Sequence, residues 1–354
     1  MDNSAERLEE LTIAAFHSAL RNGQLTALEL VDWYLARIRA HDHAGARIQA
    51  VVTVNPLARE EAAARDRFLA ENGELIGPLH GVPVLVKDQA EMAGLRTTFG
   101  SSLFEDYVPE SDSTLITKLE DAGAVVLAKT AMCDFAAGWF SFSSVTDHTK
   151  NPYAPARESG GSSAGTSAGV AANFGLVGIG EDTGGSIRIP ASFNNLFGLR
   201  VTTGLISRTG FSPLVHFQDT PGPIARTVPD LATLLDSIVG YDPEDPFTAT
   251  ASLGRSTGGY AQALDVEAPL ANWRVGVLES AFGSDANPDA EPVNRVIRVA
   301  ISRLQELGVP TTADIEIPDL STWLSDTSVY TIQSKVDIDD FLDKRPEALQ
   351  IPML

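Results

Sequence analysis

Between residues 159 and 188 the chain reads Ser159-Gly160-Gly161-Ser162-Ser163-Ala164-Gly165, then Leu176-Val177-Gly178-Ile179, then Asp182-Thr183-Gly184-Gly185-Ser186-Ile187-Arg188. Two glycine-serine loops thus flank one short apolar run, and such a run is strand-like. Glycines permit positive φ and close backbone approach, so loops of this kind can turn N–H groups toward an anion or a developing oxyanion. Serines embedded in them are candidate nucleophiles. One isolated Gly-Gly-Ser is better explained as small residues that allow tight packing. Two in a single segment, with a lysine in an apolar setting upstream, point to chemistry.

Working outward, short apolar runs alternate with amphipathic stretches. Val84-Leu85-Val86, Ala124-Val125-Val126-Leu127-Ala128 and Leu176 to Ile179 predict strands, and Thr114 to Asp121 and Pro229 to Val239 predict helices. The first seventy residues read as helical around a short β-branched run, Val51-Val52-Thr53-Val54. Thr26-Ala-Leu-Glu29 forms a capping-box pattern, and a second helix is expected from about Pro56 to Ala70. Farther on, Arg274 to Leu278 and Asp314 to Ile317 are expected strands around a helix over Val293 to Leu307. The alternation indicates an α/β fold, a sheet covered by helices. Asp242 to Gly259, rich in Pro and Gly, is expected as a surface loop within one domain.

Three motifs compete for the glycine-serine segment. A phosphate-binding loop requires a lysine that neither loop supplies. A dinucleotide fingerprint would need glycine at Thr183. The sequence Gly161-Ser162-Ser163-Ala164-Gly165 matches a nucleophile elbow centred on Ser163, but an elbow follows a buried strand. Here it follows Asn151 to Glu158 with two prolines, and His216 is the only histidine downstream. A buried lysine is a different kind of base, because desolvation disfavours the ammonium form. Lys87, in Gly81-Val82-Pro83-Val84-Leu85-Val86-Lys87-Asp88, and Lys129, after Val125-Val126-Leu127, both end strand-like runs. Residue physics leaves the choice between them open.

The 354 residues carry 44% hydrophobic and 21% charged side chains, the composition of a folded enzyme, and a formal net charge of -21. That charge repels a phosphate backbone, so nucleic acid is not an expected partner. The N-terminus lacks a basic region followed by an apolar stretch, no apolar run suffices for a membrane span, and the single Cys133 has no internal disulfide partner. A cytoplasmic setting is expected. His41-Asp42-His43 is read as solvated rather than metal-binding, because no third ligand is in register. Cys133, with Phe135, Trp139 and Phe140 nearby, is read either as one wall of an acyl pocket or as part of a structural aromatic cluster.

Taken together, Gly81-Val82-Pro83 through Lys87-Asp88, the Gly160-Gly161-Ser162-Ser163 loop and Gly180-Glu181-Asp182-Thr183-Gly184-Gly185-Ser186-Ile187-Arg188 resemble the amidase signature family. Asn151-Pro152-Tyr153, Ile189-Pro190-Ala191, Phe197-Gly198-Leu199-Arg200 and Gly222-Pro223-Ile224-Ala225-Arg226 resemble further landmarks of it. The resemblance implies a central mixed β-sheet covered by helices on both faces, in a single domain over 1–354 with its signature core at about 81–226. It implies Ser186 as nucleophile, Lys87 as base, and Ser162 between them as proton relay on a cis peptide. Backbone N–H groups of Thr183, Gly184, Gly185 and Ser186 are implied as the oxyanion hole, with Ser163, Asp182 and Arg188 supporting. No metal or organic cofactor is implied. The partner is a small-molecule amide, with homo-oligomerisation left open.

The sequence departs from that pattern at Ala164, where glycine is usual, and at Glu181, where a small or polar residue commonly precedes the aspartate. Family chains also run on past the position of Leu354, and Arg345 to Leu354 has no terminal character. The region at about 270–354 is therefore expected to be an incomplete C-terminal part of the fold. Three functions follow as expectations: an amidase working through an acyl-Ser186 intermediate, a catalytically impaired truncated homologue serving as a binding or assembly protein, and a glutamine amidotransferase subunit.

Overall fold

A computed structural model of the chain describes residues 8–252, 259–265, 269–313 and 315–345. The expectations placed on Met1 to Arg7, on Gly254 and Gly258, on Asp314 and on the stretch from Pro346 to Leu354 lie outside those residues.

Three strands with unbroken apolar character form the centre of one six-stranded sheet. They are β2 (Pro83–Lys87), β3 (Val125–Thr130) and β4 (Val177–Glu181), and every one of their residues is buried. Strands buried on both faces need no alternation, which is why these runs read as continuously hydrophobic. β2 lies between the other two and is parallel to both. Antiparallel neighbours complete the sheet: β1 (Val51–Val54) beside β3, then β6 (Pro221–Ala225) beside β4 and β5 (Phe197–Gly198) at the far edge. The order is β1-β3-β2-β4-β6-β5.

Helices α1 (Ile13–Arg21), α2 (Ala27–His41), α3 (Ala58–Asn72), α4 (Thr114–Asp121) and α7 (Val228–Ile238) carry buried apolar stripes into one large core. The box at Thr26 forms as expected: Thr26 Oγ1 accepts from Glu29 N at 3.1 Å, and the Glu29 carboxylate accepts from Thr26 N at 2.8 Å. Two further helices lie in the glycine-serine segment, α5 (Ala164–Ala171) and α6 (Arg188–Phe193). No apolar stripe announces α5, because apart from Val170 it is built from Ala, Gly, Ser and Thr. Its small residues let its backbone close on the sheet: a Cβ at Gly165 would stand 2.2 Å from Ala50 O and 2.3 Å from Ala131 N.

The chain groups into two compact units, Met1–Ala261 with Val329–Leu354, and Gln262–Ser328. The first contains the six-stranded sheet, and a helix over Tyr330–Leu342 returns Phe341 to a small cluster with Phe99 and Phe104. In the same unit the expected surface loop after Asp242 is anchored rather than free. Asp242 accepts from Ser207 Oγ at 2.5 Å and Thr114 Oγ1 at 2.6 Å, and Asp245 pairs with Arg208, with both side chains buried. Composition registered the prolines and glycines there but not these acids.

The second unit holds a helix over Glu291–Glu306 and a two-stranded parallel ladder that pairs Val275 with Thr311 and Gly276 with Thr312. The returning strand therefore falls at Thr311–Thr312 rather than at the expected Asp314 to Ile317. Val277 N donates to Thr312 O at 2.7 Å, and residues 315–317 take no part.

Candidate active site

The carboxyl ends of the three parallel strands lie along one edge, the place where open α/β sheets put ligands. Those ends carry Lys87, Thr130 and Glu181. Register decides which lysine faces the serine loops. Leu85 pairs with Gly178 across β4 and with Ala128 across β3, and Lys87 pairs with Thr130, so Lys87 shares the face on which α5 packs. Lys129 pairs with Val86 and, by the two-residue alternation of strands, projects to the other face. There Lys129 Nζ bonds Asp88 Oδ1 at 3.1 Å and Thr97 Oγ1 at 2.9 Å. The ambiguity between the two lysines is thereby removed by backbone geometry.

Lys87 Nζ lies 2.8 Å from Ser162 Oγ, and both residues are fully buried. Two further acceptors surround the amine, the Glu181 main-chain oxygen at 3.3 Å and Glu181 Oε2 at 3.4 Å. The Gly161–Ser162 peptide is cis. Only glycine fits at 161, because a Cβ there would stand 2.1 Å from Phe140 O.

Ser163 is joined to both neighbouring segments. Its N–H donates to Ser186 O at 3.2 Å, while its hydroxyl donates to Glu181 O at 3.2 Å and accepts from Glu181 N at 3.3 Å. That engagement argues against Ser163 as an elbow nucleophile, as does the irregular backbone from Asn151 to Ser162 that takes the place of a strand. His216 lies elsewhere, packed edge-on against Phe247.

Ser186 is 1% exposed, on the loop that follows β4. Asp182 shapes this loop. Its carboxylate accepts from Gly185 N at 2.8 Å, Ile187 N at 3.0 Å, Arg188 N at 3.3 Å, both Nε and Nη2 of Arg188 at 3.1 Å, and Arg200 Nη1 at 2.9 Å. Burial opposes its charge, but the Arg188 side chain and the Ile187 and Gly185 amides outweigh burial and hold the carboxyl down at about 2. Of the four amides expected in the oxyanion hole, Gly185 is thus already engaged by Asp182. The N–H groups of Thr183, Gly184 and Ser186 make no hydrogen bond among the described residues.

Three residues of this region carry roles that the sequence alone does not reveal. Arg200, seen only as part of a landmark, donates to the main-chain oxygens of Asp182 and Thr183. Glu181 departs from the family pattern in sequence, and its contact to Lys87 emerges only from the structure. Asp219 gave no local signal; it comes within 2.5 Å of Thr183 Oγ1 through a loop formed by residues 214–219.

The aromatic group near Cys133 divides. Phe135 packs edge-on against Phe104 in the structural cluster, whereas Trp139 and Phe140 are exposed and border the glycine loops. Burial pushes the Cys133 thiol up to about 11, which keeps it un-ionised at neutral pH. His41 and His43 are exposed, whereas Asp42, expected to be solvated, is fully buried, because its carboxylate accepts from Ala50 N at 2.6 Å and Val51 N at 3.2 Å; among the described residues no group of three or more His, Cys, Asp and Glu is arranged to hold a metal ion. Among the same residues no helix is long and apolar enough to cross a membrane. A cleft of about 700 Å³ lined by Glu91, Tyr107, Asp112 and Arg345 contains none of Lys87, Ser162 and Ser186.

Comparison with known proteins places these features in a family. Residues 29–345 match the Amidase family. A glutamyl-tRNA(Gln) amidotransferase subunit from Ralstonia nicotianae is 37% identical over 329 residues, covering 91% of this chain and 64% of that protein. The corresponding subunit from Deinococcus deserti is 36% identical over 88% of this chain and 60% of its own length. Among solved structures, native peptide amidase from Stenotrophomonas maltophilia superposes with a TM-score of 0.86 at 35% identity, covering 95% of this chain and 68% of that one. An amidase family protein from Bacillus anthracis superposes with a TM-score of 0.87 at 30% identity, over 98% of this chain and 68% of its own. The chain thus spans less than two thirds of the length of these amidotransferase subunits. The family match, the shared α/β fold with its central mixed sheet, and the juxtaposition of Lys87 with the serine loops agree: this chain belongs to the amidase family.

Proposed function

We propose that the protein hydrolyses a carboxylic amide to an acid and an amine or ammonia through an acyl-Ser186 intermediate. The observation that carries this reading is the 2.8 Å contact between Lys87 Nζ and Ser162 Oγ, buried and joined through the neighbouring Ser163 amide to the Ser186 loop. In the proposed reaction neutral Lys87 takes the Ser162 proton, Ser162 takes the Ser186 proton, and Ser186 Oγ attacks the amide carbon. The Thr183, Gly184 and Ser186 amides bind the oxyanion, each donor lowering the barrier by about 3 to 4 kcal/mol. Reversal of the relay protonates the leaving nitrogen, and water then releases the acid. Asp182, Arg188 and Ser163 hold the two loops in place. The substrate is a small amide entering beside Trp139 and Phe140, and the whole chain acts as one amidase domain with its signature core at about 81–226.

A second reading, the glutamine-hydrolysing subunit of an amidotransferase, is favoured by the 37% identity to amidotransferase subunits. One assay addresses both. Ammonia release is measured with an amidated peptide, a simple aliphatic amide and glutamine, with Ser186→Ala as the blank. Turnover of a free amide by the chain alone supports the amidase. Glutamine turnover confined to the presence of a second protein supports the amidotransferase. A folded chain inert toward all three amides under both conditions contradicts both readings.

A further inference from the structure

Lys87 Nζ has three hydrogen-bond acceptors around it: Ser162 Oγ, the Glu181 main-chain oxygen and Glu181 Oε2. An ammonium group has three hydrogens, so this arrangement suits the charged lysine, which has no lone pair for Ser162. To act as a base Lys87 must first lose one proton. Neither a serine hydroxyl nor a peptide oxygen can hold it, but Glu181 Oε2 can. Glu181 is itself 1% exposed, so both members of the pair are out of water and the proton has no direct route to solvent.

We infer that Glu181 acts on the proposed reaction through Lys87, as the proton-holding residue that takes the third ammonium proton and leaves a neutral amine against Ser162. The step balances within the pair. One N–H bond of Lys87 breaks, one O–H bond forms at Glu181 Oε2, and two buried opposite charges cancel. The freed lone pair then accepts the Ser162 proton as Ser162 accepts that of Ser186.

On its other side Glu181 meets a hydroxyl that it shares with a second carboxyl. Thr183 Oγ1 lies 3.3 Å from Glu181 Oε1 and 2.5 Å from Asp219 Oδ1, yet a hydroxyl has a single hydrogen and cannot donate to two carboxylates at once. The contacts are satisfied together when Asp219 carries a proton and donates it to Thr183, which donates to Glu181. Burial, and after it the charge of Glu181, raises Asp219 well above the usual carboxyl range, against the Thr183, Val215 and Leu214 hydrogen bonds. Around the pair the titratable neighbours are the Cys133 thiol, beside Lys87, and Asp219, beside Glu181. Asp182 is turned to Arg188 and Arg200, and Asp88 is closed on Lys129.

The inference rests on the proposed function, and one experiment separates their failures. The rate of covalent labelling of Ser186 by a fluorophosphonate is measured against pH for the wild type, Glu181→Gln, Glu181→Thr and Glu181→Asp, with folding of each checked by circular dichroism. Aspartate can hold the proton; glutamine and threonine cannot. In E181Q and E181T the Lys87 proton must leave to solvent, so the acid limb of the profile moves up by about one pH unit or more, while E181D stays near the wild type. Were Glu181 a permanent anion, it would only hold the proton on Lys87, and its removal would move the limb down. A downward or absent shift with Ser186 still labelled overturns this inference alone. A folded wild type unlabelled at every pH overturns the proposed function and this inference with it. If E181Q does not fold, E181T against E181D decides the same question.

Discussion

Asp182 shows how one side chain can set a whole loop. It takes two arginines and three backbone amides onto one buried carboxylate, and its charged form is stabilised down to about 2 although burial opposes it. The sign of the linkage follows from the depressed value: the stabilisation is fully present above the ordinary carboxyl range, near pH 4, and is lost as pH falls through about 2. The displacement corresponds to about 2 kcal/mol. Urea unfolding of the wild type and Asp182→Asn is expected to show a stability gap that narrows by about that amount between about pH 4 and about pH 2. A gap that stays constant over the window would mean that Asp182 holds the loop by packing alone. At this scale the glycine-serine loops were legible from residue types, whereas the choice between Lys87 and Lys129 waited on strand register. Asp219 was not legible, because it reaches Thr183 from a loop distant in sequence. Glu181 was visible as an oddity, but its meaning depends on strand register, which no local pattern states.

At the scale of elements, the glycine-serine density has two causes that the sequence presents as one. Part of it shapes the site loops. The remainder is α5, a helix of small residues lying close against β2 and β4, whose lack of a hydrophobic stripe hid it from periodicity. Gly161 belongs to the loops. A methyl group at 161 collides with Phe140 O, a backbone atom that cannot swing away, so Gly161→Ala must displace the segment carrying Ser162. Displacements near 1 Å at a reacting group cost about a hundredfold in rate. Fluorophosphonate labelling of Ser186 in G161A is expected to slow by that order while the far-ultraviolet circular dichroism is retained. Unchanged labelling would show that the loop tolerates the shift. The central strands and the Thr26 cap were read correctly because burial on both faces and capping chemistry are local properties. Strand β6, Pro221–Ala225, was seen only as a landmark, since two prolines mask its pairing with β4 and β5.

For the molecule as a whole, the sheet sets where stability is concentrated. β2, β3 and β4 are buried throughout, and each is paired on both sides, whereas β5 is a two-residue edge. Native-state hydrogen exchange is expected to be slowest for the amides of β2, β3 and β4 and to approach the global unfolding limit there. Faster exchange in β2 than in β1 would contradict the assigned sheet order. The same three strands deliver Lys87 and Glu181 to one edge, where the Ser162 and Ser186 loops meet them, so the fold and the proposed chemistry stand on a single set of buried residues. Their joint working is tested most directly by treating the purified 354-residue chain with a fluorophosphonate and locating the adduct by mass spectrometry, beside Lys87→Ala. The expected result is one adduct, on Ser186, in the wild type and none in K87A. An adduct on Ser163, or labelling of Ser186 that survives in K87A, would contradict it.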